Sequence, residues 1–419
     1  MIRPGQILAC CVLALLTLGV IMVNSADMSV SSERAISFES IVLSRSSAYL
    51  ALAMLALGVA SFVPVRRFAG AFAPGSGGPS GSRRSGFDVF TMTGYGVGVA
   101  ALMAVIATVY LPVIGKEMNG SHRWLEYPVP SIGKVSLQPS EIAKWGMIVL
   151  VAWYAVRLGR RTGGEAGRGA GLACFFTGLV PALMGVGAVA GFIVLEDLGT
   201  GVLIGAVAGI MLLAGGAKVW QMALLAPPAA GALVAAIMTS EYRMKRLTAF
   251  LDPYADAEKT GFHMIQSMTA VANGNLFGRG LGHGLQKFGY LPEDRTDFLF
   301  AVICEELGVA GAALVVFLYL TILWAGLAII RREKEPMLRL VGLGVLSTIG
   351  LQAAINLAVV TGLGPTKGIA LPLLSSGGTG WILTAASVGL LLAMDRAQAR
   401  EERASAASAD AGALGSQPA

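Results

Sequence analysis

The sequence predicts an all-α polytopic membrane protein of about ten transmembrane helices, with one large extracytoplasmic loop between the seventh and the eighth. Three observations predict it. Hydrophobic residues make up 55% of the chain and charged residues only 13%, with a mean hydropathy of +0.69. A soluble domain carries roughly twice that charged fraction. Apolar runs of about twenty residues, the length a helix needs to cross the hydrocarbon core, recur along nearly the whole chain. The 55 glycines suit helices that pack closely in lipid. The net charge of +6 and pI near 9.2 fit a positive-inside bias, and no nucleic-acid partner is expected.

The first run, at about 6–24, has the position of a signal peptide. Its length, the lack of a small-residue cleavage site and the spans that follow favour a retained first helix. The remaining spans lie near 45–64, 89–114, 140–157, 171–194, 200–216, 219–238, 299–330, 337–362 and 380–395. Pro139-Ser140-Glu141 opens the fourth, with Pro early and Glu in the first turn. The eighth is long and interrupted at Gly308 and Gly311, so it has room to tilt or to extend into the cytoplasm. Residues 1–403 thus form a single transmembrane domain. Within it, 65–88 is a flexible cytoplasmic linker carrying the Gly/Ser/Pro run 73–82. Residues 404–419, rich in Ala, Ser and Gly, are expected to be a disordered cytoplasmic tail.

Lys and Arg fix the orientation. With ten spans, Arg66-Arg67, Arg83-Arg84, Arg157 to Arg168, Lys218, Arg331-Arg332 with Lys334, and Arg396 to Arg403 share one side with both termini, and that side is the cytoplasm. The other side carries loops at about 115–139, 239–298 and 363–379. The 239–298 loop is the largest and holds Tyr, Phe, Met and Leu at intervals, which argues for order and function. Its positive charges point either to a bound anion or to internal ion pairs.

Cys10, Cys11, Cys174 and Cys304 lie in or beside apolar runs and form no Cys-x-x-Cys pair, so they read as small buried filler. His122, His263 and His283 make no ligand motif.

Ionisable groups concentrate in Tyr290-Leu-Pro-Glu-Asp-Arg-Thr-Asp-Phe-Leu-Phe300 and the Glu305-Glu306-Leu-Gly308 that follows. Glu293, Asp294, Arg295, Asp297, Glu305 and Glu306 at a membrane boundary mark a functional site unless they are paired. In Gly120-Ser-His-Arg-Trp124, Trp124 fits an interfacial anchor, while Arg123 is either a headgroup snorkel or a cation facing phosphate. Glu196-Asp197 is a cation site or a plain tight turn. Arg243 and Arg246 share a face if their segment is helical. The Gly-rich 273–284 follows no strand and has no Gly-Lys-Ser/Thr, so its glycines serve positive φ or close approach to a ligand. Gly364-Pro-Thr-Lys-Gly-Ile-Ala-Leu-Pro-Leu-Leu-Ser-Ser-Gly-Gly378 reads as a re-entrant segment lining a polar cavity, with Lys367 pointing in or snorkelling out.

In order, the motifs Gly-x-x-Arg-Trp, Gln-Pro-Ser-Glu-x-x-Lys, Asp-Leu-Gly-Thr, Leu-Pro-Glu-x-x-Thr-Asp-Phe, Glu-Glu-Leu-Gly and Pro-Thr-Lys-Gly run through about 90–395. The chain therefore resembles the SEDS family (shape, elongation, division and sporulation), the FtsW/RodA group of peptidoglycan polymerases. Pro-Thr-Lys-Gly and Leu285-Gln-Lys-Phe-Gly-Tyr290 resemble the FtsW division branch more than the elongation branch. Two motifs depart from the family. Leu195-Glu-Asp-Leu-Gly-Thr replaces the usual Gln-Pro-Asp-Leu-Gly-Thr, and Ser375-Ser-Gly-Gly-Thr-Gly380 lacks the usual Tyr.

The resemblance implies a multi-pass protein of the bacterial cytoplasmic membrane that joins lipid II units into glycan strands and releases undecaprenyl pyrophosphate. Asp297 matches the family's catalytic Asp and would serve as general base. Arg123, Arg243, Arg246 and Lys367 would contact pyrophosphate, with Glu293 and Ser375 also at the substrate. A divalent cation, Mg2+ or Mn2+, is compatible with the reaction, though no Asp/Glu spacing defines its ligands, and no organic cofactor is expected. The implied partners are the undecaprenyl pyrophosphate-linked glycan, a class B penicillin-binding protein transpeptidase, and other divisome or elongasome membrane proteins. The competing class is a lipid II flippase or other lipid-linked precursor transporter, for which the intramembrane pair Glu305-Glu306 is the supporting feature.

Overall fold

The computed structural model describes residues 3–27, 44–71, 86–111, 115–118, 121–129, 133–162, 175–376 and 378–415. Helix α1 spans Pro4–Asp27. Ser44 accepts the Ser47 amide on its Oγ at 3.1 Å and so starts α2 (Arg45–Ser61), with the short α3 (Val65–Ala71) behind it. Helix α4 (Gly86–Ala107) runs through a 3-10 turn into an antiparallel sheet of β1 (Gly115–Met118), β2 (Ser121–Val129) and β3 (Gly133–Leu137), in that order. Trp124 pairs with Lys116, and Leu125 with both Gly115 and Leu137. Helix α5 (Pro139–Thr162) begins on its proline. Helices α6 (Val180–Glu196) and α7 (Leu198–Ala214) meet at Asp197, whose Oδ1 accepts the amides of Gly199 at 3.0 Å and Thr200 at 3.2 Å. Then follow α8 (Val219–Met238), α9 (Glu241–Leu251), α10 (Phe262–Asn273), α11 (Leu299–Arg332), α12 (Pro336–Val360) and α13 (Thr379–Gly415).

Within the described residues, each of the ten predicted apolar segments overlaps one of these helices. Among the described residues six helical stretches are long and apolar enough to cross a membrane, and α2, α6 and α7 are shorter apolar helices, so the chain is a multi-pass membrane protein. α13 lies along α2 and α1 along α11, while α12 packs on α5, α7 and α11. Their shared core includes Leu15, Leu16, Ile322, Ile349 and Leu391. α8 buries only Gln221, rests Met222 and Leu225 against the core and turns most of its other apolar surface outward, as a lipid-facing helix does.

Three expectations need correction. The described residues of the expected 115–139 loop are mostly sheet, because 121–129 pairs with strands on both sides. The 65–88 linker is helical in α3 and again from Gly86, and its Gly/Ser/Pro run lies outside the described residues. The 404–419 tail continues α13 to Gly415, as its alanine-rich sequence favours.

Basic residues gather at one end of the bundle. There the buried Glu333 accepts the Lys334 and Glu335 amides at 3.0 and 3.2 Å and Gln398 Nε2 at 3.1 Å, with Arg66 at 3.4 Å. Arg3, beside the first residue of α1, lies 4.0 Å from Glu402 at this end. At the other end of α1, Asp27 pairs with Arg295 at 2.5 Å, so the basic cluster and the 290–300 segment lie a helix length apart.

α11 is broken at Gly308 (φ 66°, ψ −162°). The break lets the 275–280 backbone pair with the helix: Val309 donates to Asn275 O at 3.0 Å, and Gly280 donates to Glu306 O at 3.0 Å. At Gly278 (φ 77°), a Cβ would stand 2.1 Å from Glu306 O. The Gly-rich run thus uses positive φ, at Gly278, Gly280 and Gly282, as well as close approach, here to a helix backbone. Glu305 and Glu306 are fully buried beneath it. Glu306 accepts from Lys287 Nζ and Ser25 Oγ, each at 2.8 Å, and from the Gly282 amide at 3.0 Å. Glu305 accepts the Leu285 and Gln286 amides at 3.0 and 3.1 Å. These carboxylates clasp the loop to α11, which removes the feature that favoured a transporter.

Candidate active site

A cavity of about 620 Å³ opens at the end of the bundle away from the basic cluster. Its walls come from the ends of α1 and α2, strand β2, the first turns of α5 and α7, helix α9, the 293–297 segment and residues 368–376. The last of these is the non-helical stretch between α12 and α13, and it is buried at Leu371, Leu373, Leu374 and Ser375. Backbone at that depth needs partners. Gln352 Nε2 donates to Ala370 O at 2.8 Å, Tyr319 Oη donates to Pro372 O, and the Ser376 amide donates to Arg295 O at 2.9 Å. The re-entrant reading is therefore realised by side chains of α11 and α12.

Asp297 lines this cavity, half-buried, two residues before α11. Its carbonyl accepts from Asn356 Nδ2 at 2.7 Å, which fixes the backbone from α12. Burial is the main cause that pushes its carboxyl up to about 7; Glu293 and Asp197 add to the rise, and Arg246 and Arg123 oppose it. A carboxylate poised near neutrality, with cations in range, can take a proton at working pH.

The two arginines enter from different elements. Arg123, on β2, donates through Nη2 to Glu196 O at 2.5 Å, and its Nε is buried with no hydrogen-bond partner among the described residues. Glu196 also accepts Tyr110 Oη and the His122 amide, each at 2.8 Å, which ties the sheet to the end of α6. Arg246, on α9, donates to Thr366 O at 3.2 Å and lies 4.5 Å from the Tyr242 ring centre.

Other expected residues are placed differently. Arg243 does not line the cavity; it donates to the carbonyls of Ala236, Val194 and Leu195, capping the ends of α6 and α8. Lys367 is half-buried outside the cavity wall, where burial lowers its ammonium and nearby Asp197 opposes that shift. Glu293 lines the cavity with a positive φ of 58° and accepts from Thr296 Oγ1 at 2.8 Å. Ser375 lines it too, but its Oγ accepts the Leu371 amide at 2.9 Å and braces the turn.

The structure adds residues that sequence reasoning missed. Lys144, nearly fully buried, donates to Glu141 Oε1 at 2.8 Å and Gln352 Oε1 at 3.2 Å at the cavity wall. The signal was present in Gln-Pro-Ser-Glu-x-x-Lys, whose i,i+3 spacing puts both charges on one helix face. Asp197, read from the sequence as part of a cation site or a tight turn, also lines the cavity, where Oδ1 holds two amides and Oδ2 accepts from Thr200 Oγ1 at 2.8 Å. Glu196-Asp197 is thus a capped turn, with its oxygens occupied. Among the described residues no three His, Cys, Asp or Glu side chains cluster as a metal site.

Comparison with known proteins agrees with this architecture. Residues 89–400 match the FtsW/RodA/SpoVE family, described as cell cycle proteins. A probable peptidoglycan glycosyltransferase FtsW of Thioalkalivibrio sulfidiphilus is 38% identical over 390 residues, covering 92% of this chain and 88% of the relative. Its counterpart in Coxiella burnetii is 34% identical, covering 91% and 93%. Stage V sporulation protein E of Bacillus subtilis is 37% identical over 294 residues, covering 70% and 75%. Among solved structures, a chain from a peptidoglycan synthase complex that coordinates polymerization and crosslinking aligns with a TM-score of 0.65 at 24% identity, covering 93% and 97%. Thermus thermophilus rod shape determining protein RodA aligns at 0.57 and 23% identity, covering 93% and 96%.

Proposed function

Because the chain belongs to the FtsW/RodA/SpoVE family, we infer that it is a peptidoglycan glycosyltransferase and that the cavity around Asp297 is where strands are joined. The observation that carries the site assignment is the meeting of a carboxylate raised to about 7 with two arginines, under a re-entrant segment, at one end of a membrane bundle.

The substrates are lipid II and a growing strand on undecaprenyl pyrophosphate. The 4-hydroxyl of the incoming GlcNAc attacks the anomeric carbon of the strand. Asp297 takes the hydroxyl proton as the new C–O bond forms, and the bond from the anomeric carbon to the pyrophosphate oxygen breaks. The leaving pyrophosphate carries the departing electron pair. Arg123 and Arg246 stabilise it, and the buried Nε of Arg123 gains an acceptor it otherwise lacks among the described residues. Lys367 reinforces the positive potential from outside the wall. Mg2+ or Mn2+ would enter as a counter-ion of pyrophosphate, since the described carboxylates do not assemble a ligand set.

The basic end faces the cytoplasm with both termini, and the cavity faces outward, where lipid II is polymerised. The relatives named FtsW favour a role in division. A class B penicillin-binding protein supplies the crosslinking activity within the same membrane. Purified protein given lipid II tests the reaction: glycan ladders that vanish in Asp297→Asn support it, and ladders of wild-type intensity in that variant overturn the base assignment.

A further inference from the structure

The surface of the loop that follows α10 is unusual for a chain segment outside a helix. Leu276 is 58% exposed and Phe277 78%, and Leu281, Leu285, Phe288 and Tyr290 are exposed beside them. These side chains are not on a floppy strand. The backbone beneath them is pinned to α11 through Asn275 O, Leu276 O and the amides of Arg279 and Gly280, and by Glu305, Glu306 and the buried Lys287. The apolar groups are held outward by a polar interior, the inverse of a soluble loop.

The depth of this loop follows from the helix it grips. Beyond the Gly308 break, α11 is uncharged from 309 to 330, roughly 33 Å of helix at 1.5 Å per residue, about the thickness of the hydrocarbon core. Its boundary therefore falls at Val309 and Ala310, the two residues whose amides donate to the loop. The outward surface of α11 continues the patch with exposed Val309 and Leu314. Charge agrees with depth. From 274 to 290 there is no Asp or Glu, and the exposed polar side chains include Arg279, whose Nε lies 4.0 Å from the buried Glu305, and His283. Apolar and aromatic tips with basic residues and no acids are the composition of an interfacial membrane element.

We propose that 276–290 is seated in the bilayer leaflet on the cavity side, its apolar tips among the acyl chains and Arg279 and His283 at lipid phosphates. The occupant of this patch is lipid. The loop leads directly into the 291–297 segment, so the leaflet holds the stem of the site. Loss of polymerase activity would not bear on this seating, which depends on the membrane placement of α11 alone.

Nanodiscs of phosphatidylethanolamine and phosphatidylglycerol holding the protein alone provide the test. In a background without the four native cysteines, bimane is placed by Phe277→Cys, Leu281→Cys or Phe288→Cys, with Asp256→Cys as an aqueous control. Lipids carrying a 5-doxyl group should quench the three loop positions at least threefold more than the control, and aqueous iodide should quench only the control. Iodide quenching at Phe277→Cys equal to that at Asp256→Cys would overturn the proposal, as would protection of the loop from both quenchers, which would mean burial against protein. Adding Phe277→Asp and Phe288→Asp should lower doxyl quenching at Leu281→Cys severalfold, without changing the melting temperature in detergent. Unchanged quenching in that variant would also sink it.

Discussion

The carboxylate of Asp297 rests against the backbone of Gly368: a Cβ added at 368 would stand 2.8 Å from Asp297 Oδ2. The glycine of Pro-Thr-Lys-Gly thus makes the space in which the proposed base sits. In Gly368→Ala the flexible carboxylate yields, so folding is little affected while the base is displaced. Glycan synthesis from lipid II should fall on the order of a hundredfold, with a melting temperature within a degree or two of wild type. Full turnover would show that this seat is unimportant.

The protonation of Asp297 links activity and stability with opposite signs. Its carboxyl is raised to about 7 in the folded protein, against roughly 3.9 in an unfolded chain. The folded state therefore binds the proton more tightly, and this group weakens folding as pH rises from about 4 to 7. Turnover should rise over the upper part of the same window as the base ionises. Asp297→Asn should remove the pH-dependent loss of stability and cut turnover roughly a hundredfold to ten-thousandfold. Thermal melts and rates from pH 5 to 9 compare the two proteins.

Arg243 and Arg246 lie on the same short helix in different surroundings, Arg246 at the cavity and Arg243 on the carbonyls of neighbouring helix ends. Arg246→Ala should reduce turnover roughly a hundredfold or more and barely move the melting temperature. Arg243→Ala leaves the carbonyls of Ala236, Val194 and Leu195 without their donor, so it should cost about 1–3 kcal/mol of stability and affect rate less. A reversed pattern would exchange their roles.

Lys287 and Glu306 are both fully buried and 2.8 Å apart. Lys287→Met strands the carboxylate and should cost about 3–5 kcal/mol. Glu306→Gln added to it keeps an acceptor for the Gly282 amide and should recover part of that loss. Additive destabilisation in the double variant would argue against a coupled pair.

Orientation is testable in intact cells without native cysteines. Asp256→Cys should react with an impermeant thiol reagent, and Ser80→Cys only after permeabilisation. The opposite labelling would invert the topology.

Hydropathy made the helical body legible, because lipid imposes one rule on every span. The positions of Asp297, Arg123 and Arg246 were legible as motifs with charge at a boundary. Arg243 was not separable from Arg246 by sequence, since both satisfy the same spacing and only tertiary contact shows which one caps carbonyls. Glu305 and Glu306 misled for a related reason: a buried acidic pair looks functional until its backbone donors, supplied by a loop some twenty residues earlier, are seen. The sheet at 115–137 escaped because its strands lie in a loop whose charges drew the reading toward function.

One side-chain amide joins the two halves of the site. Asn356 Nδ2 has two hydrogens, and both are used, one on Asp297 O and one on Ile369 O, each at 2.7 Å. The segment carrying the base and the segment that roofs it are thereby yoked at a single nitrogen on α12. Displacing either segment alone would break one of these two bonds, so Asn356 couples the segment of the proposed base to its roof.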